Sequence, residues 1–295
     1  MTTRTALRVE STADNTRFLD VAGEFLESRS VPDCVLFFHA HDPEGNPPGD
    51  GPGEYLWIVD ETGAVAGVAY NQPPYRVTIS GMTEAAAQAL AEHLAQSAPW
   101  LPGVNGPTAI SAAFAARFAE LTGQITEPQR QMWVMACTDA ATLTGRTGAP
   151  RLARQDEVEM IAGWFTSTMR DSGVPPEVIS KHTLHQVGYQ VKEGRLVVWE
   201  NDESLIGAGG WTRAISGVVR PVGMFVLPEA REGGYAGALL SEVTRRALAT
   251  GATSCVCILD LTYGAMRTLV EKVGYRQVQP VTEYRFHAST PESAG

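Results

Sequence analysis

Along this chain, short runs of β-branched and aromatic residues alternate with longer stretches whose apolar residues return every three or four positions. That pattern predicts a mixed α/β protein. Residues 15 to 29 read as a helix, and NPPGDGPG (46 to 53) reads as a loop that cannot hold regular structure. Strands are expected at YLWIVD (55 to 60), AVAGVAY (64 to 70) and RVTIS (76 to 80). Helices follow at 84 to 97 and at 107 to 122, the second opening at Pro107, and QMWVMAC (131 to 137) closes the half as a strand. The second half opens with a helix over 155 to 169, in which Val158, Ile161, Ala162, Phe165 and Met169 follow helical spacing. Strands at 195 to 200, 204 to 213 and 222 to 227 come next, then a helix at 236 to 250, the β-rich SCVCILDL, a helix through Ala265 to Lys272, and VGYRQV. The order of elements roughly repeats. ATLTGRTGAP (141 to 150), rich in Thr, Gly and Pro, is the expected linker between two domains, residues 1–145 and 150–295.

The length of 295 residues is enough for two ordinary domains, each with its own core. No run approaches the roughly 20 apolar residues of a membrane span, and MTTRTALRVESTADNT lacks the apolar core of a signal peptide, so a cytoplasmic protein is expected. The net charge of −10 is uneven: residues 1–148 hold 17 acids against 8 arginines, whereas 149–295 hold 16 acids against 15 bases. The second half is therefore the better host for an anion. The acidic first half argues against nucleic acid as a partner. Cys34, Cys137, Cys255 and Cys257 show no zinc spacing and read as buried thiols, and His39-Ala40-His41 has no third ligand nearby, so no metal is expected.

The most informative stretch is FVLPEAREGGYAGALLSEVTRRALATGA, residues 225 to 252, which reads as strand, glycine-rich loop and long helix. Arg231 to Ala236 (Arg231, Glu232, Gly233, Gly234, Tyr235, Ala236) fit R-x-x-G-x-A. Gly234 and Ala236 let the backbone approach a ligand, and the following helix directs N–H groups at an anion. A guanidinium at Arg231 can hold phosphate oxygens in a forked geometry. These residues point to a phosphate-bearing cofactor. Between strand 76 to 80 and helix 84 to 97, the first half offers only Gly81-Met82-Thr83, and no cradle can be drawn there.

With the closing phrase Lys272-Val273-Gly274-Tyr275, and with LPGVNGPTAI, VVWENDESLIGAGG, LDL and EYRF in order, most of residues 100 to 286 resembles the GCN5-related N-acetyltransferase (GNAT) family, in a two-part bacterial subgroup. The resemblance implies two tandem domains of α/β (α+β) class, each a mixed, mostly antiparallel sheet flanked by helices, the first degenerate and the second catalytic. It implies acetyl-CoA or another acyl-CoA as donor, with the pyrophosphate on Arg231 to Ala236. The pantetheine arm would lie along Phe225 and Val226, where a backbone N–H could steady an oxyanion. The chain departs from the subgroup's pattern after the fifth strand, where Tyr263 stands at an asparagine position and Val270 at that of the proton-donating tyrosine. Tyr263 or water is left to protonate the thiolate.

For the acceptor pocket the candidates are Trp164, Phe165, His182 and Trp199, although the aromatics read first as core and His182 with His185 as a surface pair. Glu200 and Asp202 read as turn residues. The function expected is acyl transfer from an acyl-CoA to the amine of a small molecule. Two alternatives stay open: a donor presented by an acyl carrier protein in natural-product biosynthesis, and a non-catalytic protein that binds CoA or another small molecule.

Overall fold

A computed structural model describes residues 7–43, 51–168, 176–260 and 264–288. The chain divides into two compact units, residues 1–133 with 279–295 and residues 134–278. Its first run of elements is β1 (Arg8–Thr12), α1 (Asn15–Ser28), α2 (Cys34–His41), β2 (Glu54–Val59), β3 (Val65–Asn71), β4 (Val77–Ile79), α3 (Glu84–Ser97), β5 (Gly103–Pro107), α4 (Thr108–Thr122) and β6 (Ile125–Cys137). The second is β7 (Ala149–Leu152), α5 (Val158–Thr168), α6 (Pro176–Lys192), β8 (Leu196–Asn201), β9 (Ser204–Trp211), β10 (Val218–Val219), β11 (Pro221–Val226), α7 (Tyr235–Leu248), β12 (Ser254–Asp260), α8 (Gly264–Val273) and β13 (Arg276–His287). Apart from β10, the order strand, two helices, three strands, helix, strand, helix, strand occurs twice. The fold is α/β, with mixed and mostly antiparallel sheets flanked by helices.

In the first unit, β1, β2, β3 and β4 pair antiparallel, and β4 then runs parallel to β5, with Val77 opposite Val104 and Thr78 opposite Asn105. The Asn105 side chain adds a hydrogen bond to Thr78 Oγ1 at 3.2 Å. β13 closes against β5, from Val281 opposite Pro107 to Arg285 opposite Gly103. Helices cover both faces, which is why β2 reads as a continuous apolar run. Leu56 and Ile58 belong to the core shared with Leu90 and Leu94 of α3 and Phe114 and Phe118 of α4. Phe18 of α1 stacks on Tyr55 at 4.9 Å and lies 6.2 Å from Trp57. α1 starts where Asp14 accepts hydrogen bonds from the Thr16 and Arg17 amides.

In the second unit, β7, β8, β9 and β11 form an antiparallel sheet. The expected α5 positions Val158, Ile161, Ala162 and Phe165 are buried against Leu196 and Val198 of β8 and Ala208 of β9, while Met169 lies outside the described residues. Asp202 and Glu203, at φ 47° and 64°, make the two-residue turn between β8 and β9. Glu200 is in β8 and is committed elsewhere: Arg151 of β7 donates from Nε to it at 2.8 Å and from Nη2 to buried Glu157 at 2.6 Å. Glu157 also accepts the Arg154 amide at 2.7 Å. No described helix is long and apolar enough to cross a membrane, and no group of three or more His, Cys, Asp and Glu among the described residues could hold a metal ion.

The Arg151 hydrogen bonds hold the Glu157 carboxyl below its usual range, against the opposing effect of burial. A carboxyl with a depressed folded pKa stabilises fully above its unfolded value, about 4.3, and that stability is lost as pH falls through the folded pKa. Arg151→Met, which leaves buried Glu157 with only the more exposed Arg154, 2.8 Å away, should therefore lower unfolding free energy at neutral pH by about 1–2 kcal/mol. It should also flatten the acid side of the stability profile. Urea unfolding from pH 3 to 7 checks both; identical profiles for the two proteins would count against this role.

Candidate active-site cleft

The site begins where one strand leaves another. β10 lies parallel to β12, with Val218 opposite Ser254 and Val219 opposite Cys255. From Pro221 the chain pairs with β9 instead, from Pro221 opposite Trp211 to Val226 opposite Gly207. β11 and β12 thus belong to separate sheets. A cleft of about 700 Å³ opens between them, walled by Gly223 to Val226 on one side and Cys257 to Leu259 on the other, with Leu240 of α7 and Leu269 of α8 among its lining residues. Its volume lies within the range of small-molecule sites. The corresponding strands of the first unit, β4 and β5, are bonded to each other and leave no such gap.

A bulge shapes the β11 wall. The pairing skips Gly223, which has φ +59°, and a Cβ there would overlap the Phe165 ring. Phe165 is thereby placed as a buried support beneath the bulge, and Trp164 stacks on Phe225 at 5.2 Å. Phe225 and Val226 both line the cleft.

At the end of β11, Pro228–Gly233 form a 3-10 turn and Gly234, at φ +75° and ψ 12°, turns the chain into α7. No side chain caps α7, so the amides of its first turn carry the helix's positive end without an internal acceptor. Arg231 donates from Nε to Val226 O at 3.3 Å and lines the cleft with Ala236. Glu232 and Gly233 are exposed on the turn. Tyr235 points its hydroxyl at Thr147 Oγ1, 2.7 Å away, and meets Trp199 edge-on at 6.0 Å. Trp199 donates its indole N–H to Thr147 O at 2.9 Å and is not among the cleft's lining residues. His182 sits half-buried in α6, where desolvation and then His185 push its pKa down, and it too is not among the lining residues.

The chemistry of the cleft is spare. Val270 lines it and is buried, and among the described lining residues there is no Asp, Glu, His or Tyr. Tyr263 lies outside the described residues. Sequence reasoning missed Arg146: its guanidinium lies on Gly234, where an added Cβ would overlap Nη2, Nε and Cζ. The available signal was that Arg146 is the single charged residue of ATLTGRTGAP.

The first unit fills the matching position from within. Gly81, ahead of α3, is covered by the Arg29 guanidinium, and its amide donates to the two oxygens of Asp33 at 3.1 and 3.2 Å. Arg29 Nε donates to the same carboxylate at 2.5 Å. Thr83 caps α3 by accepting the Ala86 amide.

No protein-family model matches the chain, and no curated protein matches it by sequence. Solved structures do match along nearly its whole length. They include a GCN5-related N-acetyltransferase from Sphaerobacter thermophilus, 18% identical with a TM-score of 0.60 over 97% of this chain and 96% of that one. A GNAT-family acetyltransferase from Colwellia psychrerythraea is 12% identical with a TM-score of 0.59 over 95% of this chain and 100% of that one. A tandem GNAT protein from the clavulanic acid biosynthesis pathway is 11% identical with a TM-score of 0.55 over 98% of this chain and 100% of that one. The chain has the fold of these proteins, with one element order repeated along it as the tandem match implies.

Proposed function

We propose that the second unit transfers an acyl group, acetyl in the simplest case, from an acyl-CoA thioester to the amine of a small molecule. The observation that carries this reading is the cleft between β11 and β12, which runs from an uncapped helix start with Arg231 to an apolar interior. Arg231 and the amides of residues 232 to 236 would hold phosphate, and the edge of β11 at Phe225 and Val226, where Val226 O already accepts from Arg231, would hydrogen-bond the pantetheine amides as an added strand does. Trp164 and Phe165 act from behind, by fixing the position of β11.

In the reaction the neutral amine attacks the thioester carbonyl carbon. A backbone N–H of β11 stabilises the oxygen as it gains charge, the C–S bond breaks, the thiolate takes a proton from its donor, and the proton the nitrogen loses passes through water to restore that donor. The thiolate needs little help, because a thiol pKa near 8.5 makes it a tolerable leaving group. Tyr263, between Leu259 and Ala265 in sequence, is the proposed proton donor.

Release of free thiol from acetyl-CoA with a panel of primary amines tests transfer directly. Tight CoA binding without thiol release for any amine would favour a binding protein instead. Ala236→Glu places a carboxylate in the first turn of α7, where it suits the helix but opposes a bound phosphate. This variant should stay folded and lose at least about tenfold in CoA affinity, roughly 1.4 kcal/mol; calorimetry showing wild-type affinity would refute the cradle assignment. Tyr263→Phe should lower kcat by about one to a few orders of magnitude with little change in donor KM, and an unchanged kcat would assign the proton to water.

A further inference from the structure

We infer that Arg146 is the second arm of a pyrophosphate clamp, and that the donor is therefore a diphosphate-bearing acyl-CoA rather than the single-phosphate arm of a carrier protein. The inference rests on the cofactor reading above and deepens it.

The guanidinium of Arg146 lies flat against Gly234, so glycine there serves two needs: the positive φ and the close approach of this arginine. Its position is built. Thr147 is tied through its carbonyl to Trp199 and through its hydroxyl to Tyr235, and Arg146 Nη1 donates to Gly145 O at 3.1 Å. Upstream, the same segment is pinned to α7, with the Leu143 amide donating to Ser241 Oγ at 3.2 Å and that hydroxyl donating to Ala141 O at 2.6 Å.

Electrostatically this arrangement is incomplete. A cation is held at the positive end of a 14-residue helix that has no side-chain cap, with Arg231 on the same turn. Among the described residues neither Arg146 nor Arg231 is in an ion pair, although Glu229 and Glu232 are exposed on the turn. Two guanidiniums and a helix start repel one another unless an anion lies between them.

The first unit shows what completes such an arrangement. There Arg29 covers Gly81 as Arg146 covers Gly234, and the Asp33 carboxylate bridges the guanidinium and the glycine amide. In the second unit no carboxylate among the described residues is bonded to Arg146 or to the Gly234 amide, so the bridging position is open to the oxyanion of a ligand. With Arg231 within the turn and Arg146 over the glycine that ends it, each phosphate of a diphosphate would have its own guanidinium.

Calorimetric binding of CoA, dephospho-CoA and 4′-phosphopantetheine to wild type and to Arg146→Gln tests this. Arg146 is exposed and its neutralisation relieves repulsion at the helix start, so the ligand-free variant should stay folded with a thermal midpoint no lower than that of wild type. The variant should bind CoA and dephospho-CoA at least about tenfold more weakly, the low end for a charge-assisted hydrogen bond. Its affinity for 4′-phosphopantetheine should change much less, and Arg146→Lys should recover part of the loss. Several results would overturn the assignment: CoA affinity within about twofold of wild type, tighter binding (a plug rather than a clamp), equal losses for all three ligands, or a loss confined to CoA, which would place Arg146 on the 3′-phosphate. If wild type binds none of the three, the cofactor reading itself fails, and this inference with it.

Discussion

The organising constraint of the second unit is the broken pairing between β11 and β12. β10 lies beside β12 at Val218–Ser254, but β11, which follows it, pairs with β9 instead, so the edge of β11 toward the cleft has no strand partner. Backbone N–H and C=O groups are costly to leave unsatisfied away from water. The separation is held by specific packing. Gly223 bulges over Phe165, Trp164 stacks on Phe225, and β9 opposes β11 with Gly207, Gly209 and Gly210, which bring the two backbones close. β11 is thus held to β9, and the side facing β12 is left for another extended chain.

The two units resolve the same local geometry in opposite ways. In the first, β4 bonds to β5, Asn105 donates to Thr78, Thr83 caps α3 and Asp33 accepts from Gly81, so these groups have intramolecular partners. Asp33 is almost fully buried, and desolvation raises its pKa despite Arg29 and the Gly81 amide. At this position the first unit supplies from within the partners that the second unit leaves open.

Much of this was legible in the sequence because local chemistry agreed with tertiary placement. The helical spacing of Val158, Ile161, Ala162 and Phe165 matches the buried face of α5, and the run YLWIVD is a strand covered on both faces. The phrase Val273-Gly274-Tyr275 also has a physical basis: Gly274, at φ +118°, passes close to Asp139 O, and Tyr275 is buried with its hydroxyl at Thr244 and Cys255. Other elements were hidden. CVLFFHAH is apolar all round, so α2 shows no helical stripe, and β5 (GVNGP) contains glycine and proline that read as loop. β5 is a strand because β4 and β13 pair with it, a partnership set by residues far away in sequence. β6 begins at Ile125 rather than near 131, since its first residues are exposed and polar and carry no apolar signal. Arg146 and the pair Arg29 and Asp33 were invisible for the same reason: their importance lies in which glycine they cover, and that is a tertiary fact.

The segment around residues 141–148, compositionally a flexible spacer, is not one in entropic terms. Its hydrogen bonds to Ser241, Tyr235 and Trp199 fix it along α7 before any ligand arrives. Ordering a free segment on binding costs about 1–2 kcal/mol for each residue's backbone, which would consume most of what a single charge-assisted contact returns. Because that cost is already met during folding, a guanidinium carried on this segment can spend its full attraction on the ligand. The same tethering makes the segment part of the second unit's stability, so changes to its length or to its tethered residues alter folding.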